Sequence, residues 1–332
     1  MALSSSGTLA FGKDGLDVEM EITADRMEWK SLERIMGDEK TTAPVASSSA
    51  SSRMPVRGTA RISARELVYD RFTLTPLHAD ISFAPGRATT AHIRQAALCS
   101  ITAQGRIELG GTNQNMEITL SAKDQDLGPA IACLSDRDSE MTGRFSLDGR
   151  FSLPLQTSPP LKGLEGALSF HARDGRINKS IPLSKVFSLL SVTEYFRGLP
   201  DLRKEGFTYS TFTFAGDIHQ GTLKLKEAVI DGPTMVILAE GTADLAESKL
   251  NITVLAAPFK TLDSMFNMLP GRKKDSRAAL VSMGVRVTGD IKNPDVSVQP
   301  LSGISRGLTG MMERALKAPV RIIESFKPPV KQ

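Results

Sequence analysis

The sequence predicts a mainly β protein, a long antiparallel meander carrying a few amphipathic helices. Three observations carry this. Apolar residues recur at every second position in many short stretches, the period that sends alternate side chains to opposite faces of a sheet. Glycines and clusters of Asn, Asp and Gly punctuate those stretches, as turns require. The same short phrase also returns along the chain, as "GTARISARELVYD" at 58–70 and "GTADLAESKLNITV" at 241–254, with looser copies beginning at Gly105, Gly143, Gly166, Gly216 and Gly289. The spacing is irregular, so no fixed-period solenoid is expected. Each copy reads as one hairpin, glycine first, added to a single growing sheet.

In chain order, the first element is a break. Residues 38–55, "DEKTTAPVASSSASSRMP", read as a Ser/Ala-rich mobile loop between strands. In 145–153, Phe145, Leu147, Phe151 and Leu153 oppose Ser146, Asp148, Arg150 and Ser152, and Gly149 gives a twisted strand room to bend. Leu183, Val186, Phe187 and Leu190 fall at helical spacing, so a helix is expected over 182–197, opened by Pro182 and ended before Gly198. It either covers one end of the sheet or gates it. Further on, Phe212 and Phe214 oppose Thr211 and Thr213, Leu223 and Leu225 oppose Lys224 and Lys226, and Leu250, Ile252 and Val254 oppose Asn251 and Thr253. The stretch "TMVILA" at 234–239 is apolar on both faces, which predicts cover on both sides, with a helix as one cover.

A short helix is expected over 261–269, ahead of the basic loop "GRKKDSR". The last element is a tail helix over 303–327, kinked at Pro319, with a stripe of Ile304, Leu308, Met311, Met312, Ala315 and Ile323. Its stripe either caps the sheet or lies on a membrane, with Arg314, Lys317 and Arg321 toward anionic headgroups.

Composition excludes some functions. The 332 residues carry 41 basic and 37 acidic side chains, a net charge of +4, and only 5% aromatics. Neither a phosphate-binding field nor a base-stacking surface is present, so no nucleic-acid partner is expected. No apolar run reaches about 18 residues, so no transmembrane span is predicted. The N-terminus has no secretory signal pattern, which fits either a cytoplasmic protein or a fragment whose targeting segment lies upstream. Cys99 and Cys133 are expected as two free buried thiols, with a disulfide as the alternative.

The search for chemistry returns little. His78, His92, His171 and His219 are scattered, and no CxxC, HExxH, GxSxG or Walker-type loop occurs. Asp124 and Asp126, like Asp136 and Asp138, are spaced as a hard-cation pair, but the glycine and terminal Glu of a calcium loop are missing, so they read as solvated turns. Asn178 and Asn251 match the glycosylation pattern by chance composition. No metal, no cofactor and no catalytic residue is predicted. What remains is an apolar sheet face, either an ordinary core closed by a second layer or an open groove for something greasy.

The block at 163–258 sharpens the choice. It runs from "GALSFHARDGRI" (Asp174, Gly175, Arg176, Ile177) through "LSKVFSLLSV" and Gly206-Phe207-x-Tyr209 to "IDGPTMVILAEGTADL" (Gly232, Pro233, Gly241, Asp244, Leu245). With "VRVTGDIKNPDVSVQP" and the tail, it resembles the C-terminal region of the AsmA-like proteins, the group of AsmA, TamB and YhdP. The resemblance spans about 163–327 and is one of style alone over 1–162. It implies an open, curved, taco-like β-groove, a place in the periplasm or cell envelope of a Gram-negative bacterium, and an inner-membrane anchor in the full-length protein. It also implies either carriage of phospholipid acyl chains between inner and outer membranes or support of outer-membrane biogenesis without cargo, and no enzymatic activity. The groove candidates are Phe145, Leu147, Phe151, Phe212, Phe214, Leu223, Leu225, Leu250, Ile252 and Val254, chosen by shared strand parity. On this reading the chain divides into β repeats at 1–162, an AsmA-like β domain at 163–300 and an amphipathic tail at 301–332.

Overall fold

The structure, a computed structural model, describes residues 3–12, 15–30, 56–111, 114–135, 141–178, 206–258 and 283–317. Sixteen strands form one open sheet. They are β1 (Leu3–Gly12), β2 (Gly15–Glu28), β3 (Val56–Tyr69), β4 (Phe72–Leu74), β5 (Leu77–Phe83), β6 (Thr89–Leu98), β7 (Ile101–Leu109) and β8 (Asn115–Asp126), then β9 (Arg144–Pro154), β10 (Glu165–Ile177), β11 (Phe207–His219), β12 (Thr222–Asp231), β13 (Met235–Asp244), β14 (Lys249–Pro258), β15 (Met283–Asp290) and β16 (Asn293–Gln299). Two α-helices are described, α1 (Leu127–Ser135) and α2 (Arg306–Lys317). Strand order follows chain order from β1 to β16, apart from β4, which pairs with β3 alone.

The meander has one departure. β2 and β3 run parallel, pairing Leu16 with Val56 through to Glu28 with Val68. A parallel neighbour cannot be reached by a tight turn and needs a crossover of a dozen or more residues. Residues 29–55, which hold the Ser/Ala-rich stretch, supply that length. The stretch itself lies outside the described residues, as do the predicted helices at 182–197 and 261–269.

The repeated phrase is only partly a hairpin. At 241–254 it is, with β13 turning into β14 across 245–248, and the copies at Gly105, Gly216 and Gly289 also turn. The copies at Gly58, Gly143 and Gly166 instead run into single long strands. They lack the Asn, Asp or Gly cluster that a reversal needs, or carry it as a bulge, as at Asp174 with φ of 52°. Gly58 has a different purpose: a Cβ there would stand 2.0 Å from the Val18 carbonyl oxygen of the parallel neighbour.

Tertiary contacts divide the chain into two units. The first holds Met1–Lys123, Pro129–Arg137 and Leu147–Gly166, and the second Asp124–Gly128, Asp138–Ser146 and Ala167–Gln332. In the first unit, Cys99 and Cys133 are joined, with Cα atoms 5.6 Å apart. The expectation of two free thiols is therefore wrong. Burial habits rank a cysteine by itself, whereas here the β6–β7 turn and α1 meet and bring the two thiols into bonding range. Arg71 ties the same helix down by donating to the Leu134 carbonyl at 2.8 Å.

Candidate functional site

Cross-strand register turns local alternation into continuous faces. In the first unit, Ile22, Ile62, Ala79, Ile93, Gly105 and Ile118 pair in one row across β2, β3, β5, β6, β7 and β8. The next row on the same face is Gly7, Met20, Ala60, Ile81, Ala91, Ile107 and Met116. No charge interrupts either row. The opposite face carries Glu21, Arg61, Asp80, His92, Arg106 and Glu117 in one row, opposite charges for the most part side by side. Ion pairs run along it, including Arg57–Asp17 at 2.5 Å, Arg61–Asp80 at 3.3 Å and Arg94–Asp80 at 2.9 Å. A hydrogen bond from Arg57 holds the exposed Asp17 carboxyl below its ordinary range.

The isoleucines of the apolar rows stay partly open to solvent. Two cavities, of 540 and 480 Å³, are lined chiefly by the charged face, with Glu19, Glu21, Arg61 and Asp80 around one and Arg106, Glu117 and Arg150 around the other. These are crevices between long charged side chains.

In the second unit the register brings most of the predicted groove residues together. Leu223, Ala243 and Leu250 pair in one row, and Leu225, Gly241, Ile252 and Val287 in the next. Phe212 pairs with Ile230 and Phe214 with Ala228 on that face, and Val254 faces Ala239 and Val285. Phe145 joins through rings, stacking on Phe170 at 5.9 Å, which meets Phe212 edge-on at 5.3 Å. Phe145 and Val254 are closed off from solvent, at 3% and 6% exposure. Phe212, Phe214, Leu223, Leu225, Leu250 and Ile252 are half-buried. Leu147 and Phe151, also half-buried, lie in the first unit, Phe151 against Gly166. The reading from sequence missed Ile22, Ile62, Ile81, Ile93, Ile107 and Ile118. Their two-residue period was the available signal, but it appears only in fragments between small residues.

The motif residues interlock. Tyr209 lies over Gly175, where a Cβ would stand 2.4 Å from the ring Cζ, and its hydroxyl donates to the Thr142 carbonyl at 2.6 Å. Burial, with Asp174 adding to it, pushes the Tyr209 hydroxyl up to about 12. Phe207 sits as closely over Gly232, where a Cβ would stand 2.7 Å from its Cζ. The recurring glycines and aromatics therefore mark one packing knot.

Elsewhere the fold covers its own apolar surface. Val236, Leu238, Leu255 and Ala257 lie under Leu308 and Met312 of α2, with Ile304, Met311 and Ala315 beside them. Met235 and Ile237, on the other face of the same strand, are also buried. The expectation for "TMVILA" thus holds, and the tail stripe through Ala315 is taken up by the sheet. Ser305 accepts from the Leu308 amide at 3.0 Å and donates to Glu240 at 2.8 Å, capping the helix and pinning it. Arg314 and Lys317 fall on α2 and Arg321 beyond it, and their side chains lie outside the described residues.

Asp124 and Asp126, expected as solvated turns, instead end strand β8, and Arg144 reaches them at 3.2 and 2.9 Å. Asp136 and Asp138 lie outside the described residues. Arg173 meets Asp124 at 3.0 Å and Asp174 at 3.0 Å. Hydrogen bonds from Arg144, then Arg173, hold the Asp124 carboxyl low. His171 is held neutral-leaning by burial, then by Arg173, and its Nε2 has no hydrogen-bond partner among the described residues. No cluster of three or more His, Cys, Asp or Glu that could hold a metal occurs among the described residues. No described helix is long and apolar enough to cross a membrane.

The model of the YhdP protein family matches residues 5–272. The match takes in the N-terminal half, which the motif resemblance over 163–327 does not reach. No curated protein and no solved structure matches the chain. With the match covering most of its length, the chain belongs to the YhdP family, within the AsmA/TamB/YhdP group of AsmA-like envelope proteins.

Proposed function

We propose that this chain is a non-enzymatic carrier whose uncharged sheet face holds phospholipid acyl chains on their way between inner and outer membranes. The observation that carries the reading is the pair of unbroken apolar rows across β2–β8, half open to solvent and backed by an ion-paired face. Acyl chains ask only for dispersion and exclusion of water, and any charge on the face would repel them. A contiguous apolar surface left open on this scale marks an interaction site. The Cys99–Cys133 disulfide fits an oxidising compartment such as the periplasm. The described part of the tail acts as cover for the sheet, since Leu308 and Met312 are already buried.

The test is solvent extraction of the purified protein followed by mass spectrometry of the extract. Phospholipid in near-stoichiometric amount is expected. A protein that carries none, even after incubation with phosphatidylethanolamine vesicles, is instead an assembly factor without cargo.

A further inference from the structure

The apolar face of the first unit is not uniform along its strands. At one end lie Ala24, Ala64 and Ala96, at 3%, 1% and 3% exposure, and beside them Met27 and Leu67 close a small cluster with Leu74 and Leu77. At the other end lie Phe11, Val56 and Leu109, at 77%, 43% and 48% exposure. Val56 and Leu109 sit on interior strands, so their exposure does not come from the sheet edge. The rows between are half open. The face therefore has a sealed end and a wet rim.

From this gradient we infer that a bound acyl chain lies along the strands, its methyl end on Ile22, Ile62 and Ile93, against the sealed Ala24–Ala64–Ala96 end, and its polar end at the Phe11–Val56–Leu109 rim. The inference rests on the acyl-chain reading above. Lengths allow it, with room for the ester. A strand advances about 3.3 Å per residue, so the six steps from Val56 to Ile62 span roughly 20 Å. One leaflet of acyl chains fills about half of a ~30 Å hydrocarbon core, or roughly 15 Å. The polar end of a lipid loses its hydration if it is buried without hydrogen-bond partners, so it takes the end that water reaches. The methyl end stops where Met27, Leu67 and their neighbours have already closed the face.

The test loads the full chain with either of two phosphatidylethanolamines, one carrying a diazirine near the acyl methyl end and the other next to the ester. After illumination, labelled peptides are mapped by mass spectrometry. The methyl-end probe should label 22–28 and 62–68, and the ester-end probe 9–20, 56–60 and 107–109, each by several-fold over the other. Reversed labelling, or the same pattern from both probes, overturns the orientation while leaving the acyl-chain reading intact. Labelling of none of these peptides by either probe overturns both.

Discussion

Two apolar faces of this molecule meet different fates. Across β13 and β14, in a stretch apolar on both sides, Val236, Leu238, Leu255 and Ala257 lie under α2 at 0–1% exposure. Across β2–β8, in strands that alternate, Ile22, Ile62, Ile93 and Ile118 stay half open. Burying apolar surface stabilises by about 25 cal/mol per Å². The first face gains that from the chain's own helix. The second still has it to gain, and a ligand without charge can supply the missing layer. Alternation thus specifies a face, and only a partner element decides whether it becomes core or site.

The comparison breaks most easily at the covered face. Leu308→Asp should put a lone carboxylate under the sheet and destabilise the fold by several kcal/mol. Leu308→Ala should cost about 2–5 kcal/mol, read by urea unfolding. An unchanged midpoint for the alanine variant would mean that α2 is not docked. Next in size is the staple in the first unit. Cys99→Ser should cost about 2–4 kcal/mol under oxidising conditions and nothing measurable once the parent is reduced. Two thiols titrating in the unreduced parent would contradict the bond.

Tyr209→Phe should cost about 1 kcal/mol at neutral pH, the usual value of one hydrogen bond. Its pH dependence has a definite sign. Folding raises the hydroxyl from 10.0 to about 12, so the folded chain keeps a proton that the unfolded chain releases. That stability is fully present below pH 10.0 and is lost as pH rises toward about 12. Melts across this window should converge for parent and variant, and parallel curves would refute the assignment. Smallest of all, the outward, exposed Lys224→Asp should stay within about 0.5 kcal/mol and leave lipid binding unchanged.

These expectations also mark what could be read in advance. Strand parity put Phe212, Leu225 and Ile252 on one face, because the registers that keep apolar sets together are favoured and a one-residue slip would turn one set outward. It missed the crossover between β2 and β3, since alternation does not encode direction and a long connection only permits a parallel neighbour: β14 and β15, also joined by one, run antiparallel. It read Gly58 as the start of a hairpin, because a glycine for close approach and a glycine for a turn look alike until a neighbour is known. The helix over Val236 and Leu238 was foreseen from a strand apolar on both faces. The join between Cys99 and Cys133 was not, because it depends on a hairpin turn meeting a helix more than thirty residues on.

The central claim, that the half-open face is a site and not a core, is tested most directly by paired charge insertions on the two faces. Ile93→Asp would be compared with Leu238→Asp for thermal stability and for phospholipid recovered on extraction. Leu238→Asp is expected to unfold the protein, while Ile93→Asp keeps the melt within a few degrees and loses most of the lipid. If Ile93→Asp unfolds it as fully as Leu238→Asp does, the open face is a closed core and the carrier reading is wrong.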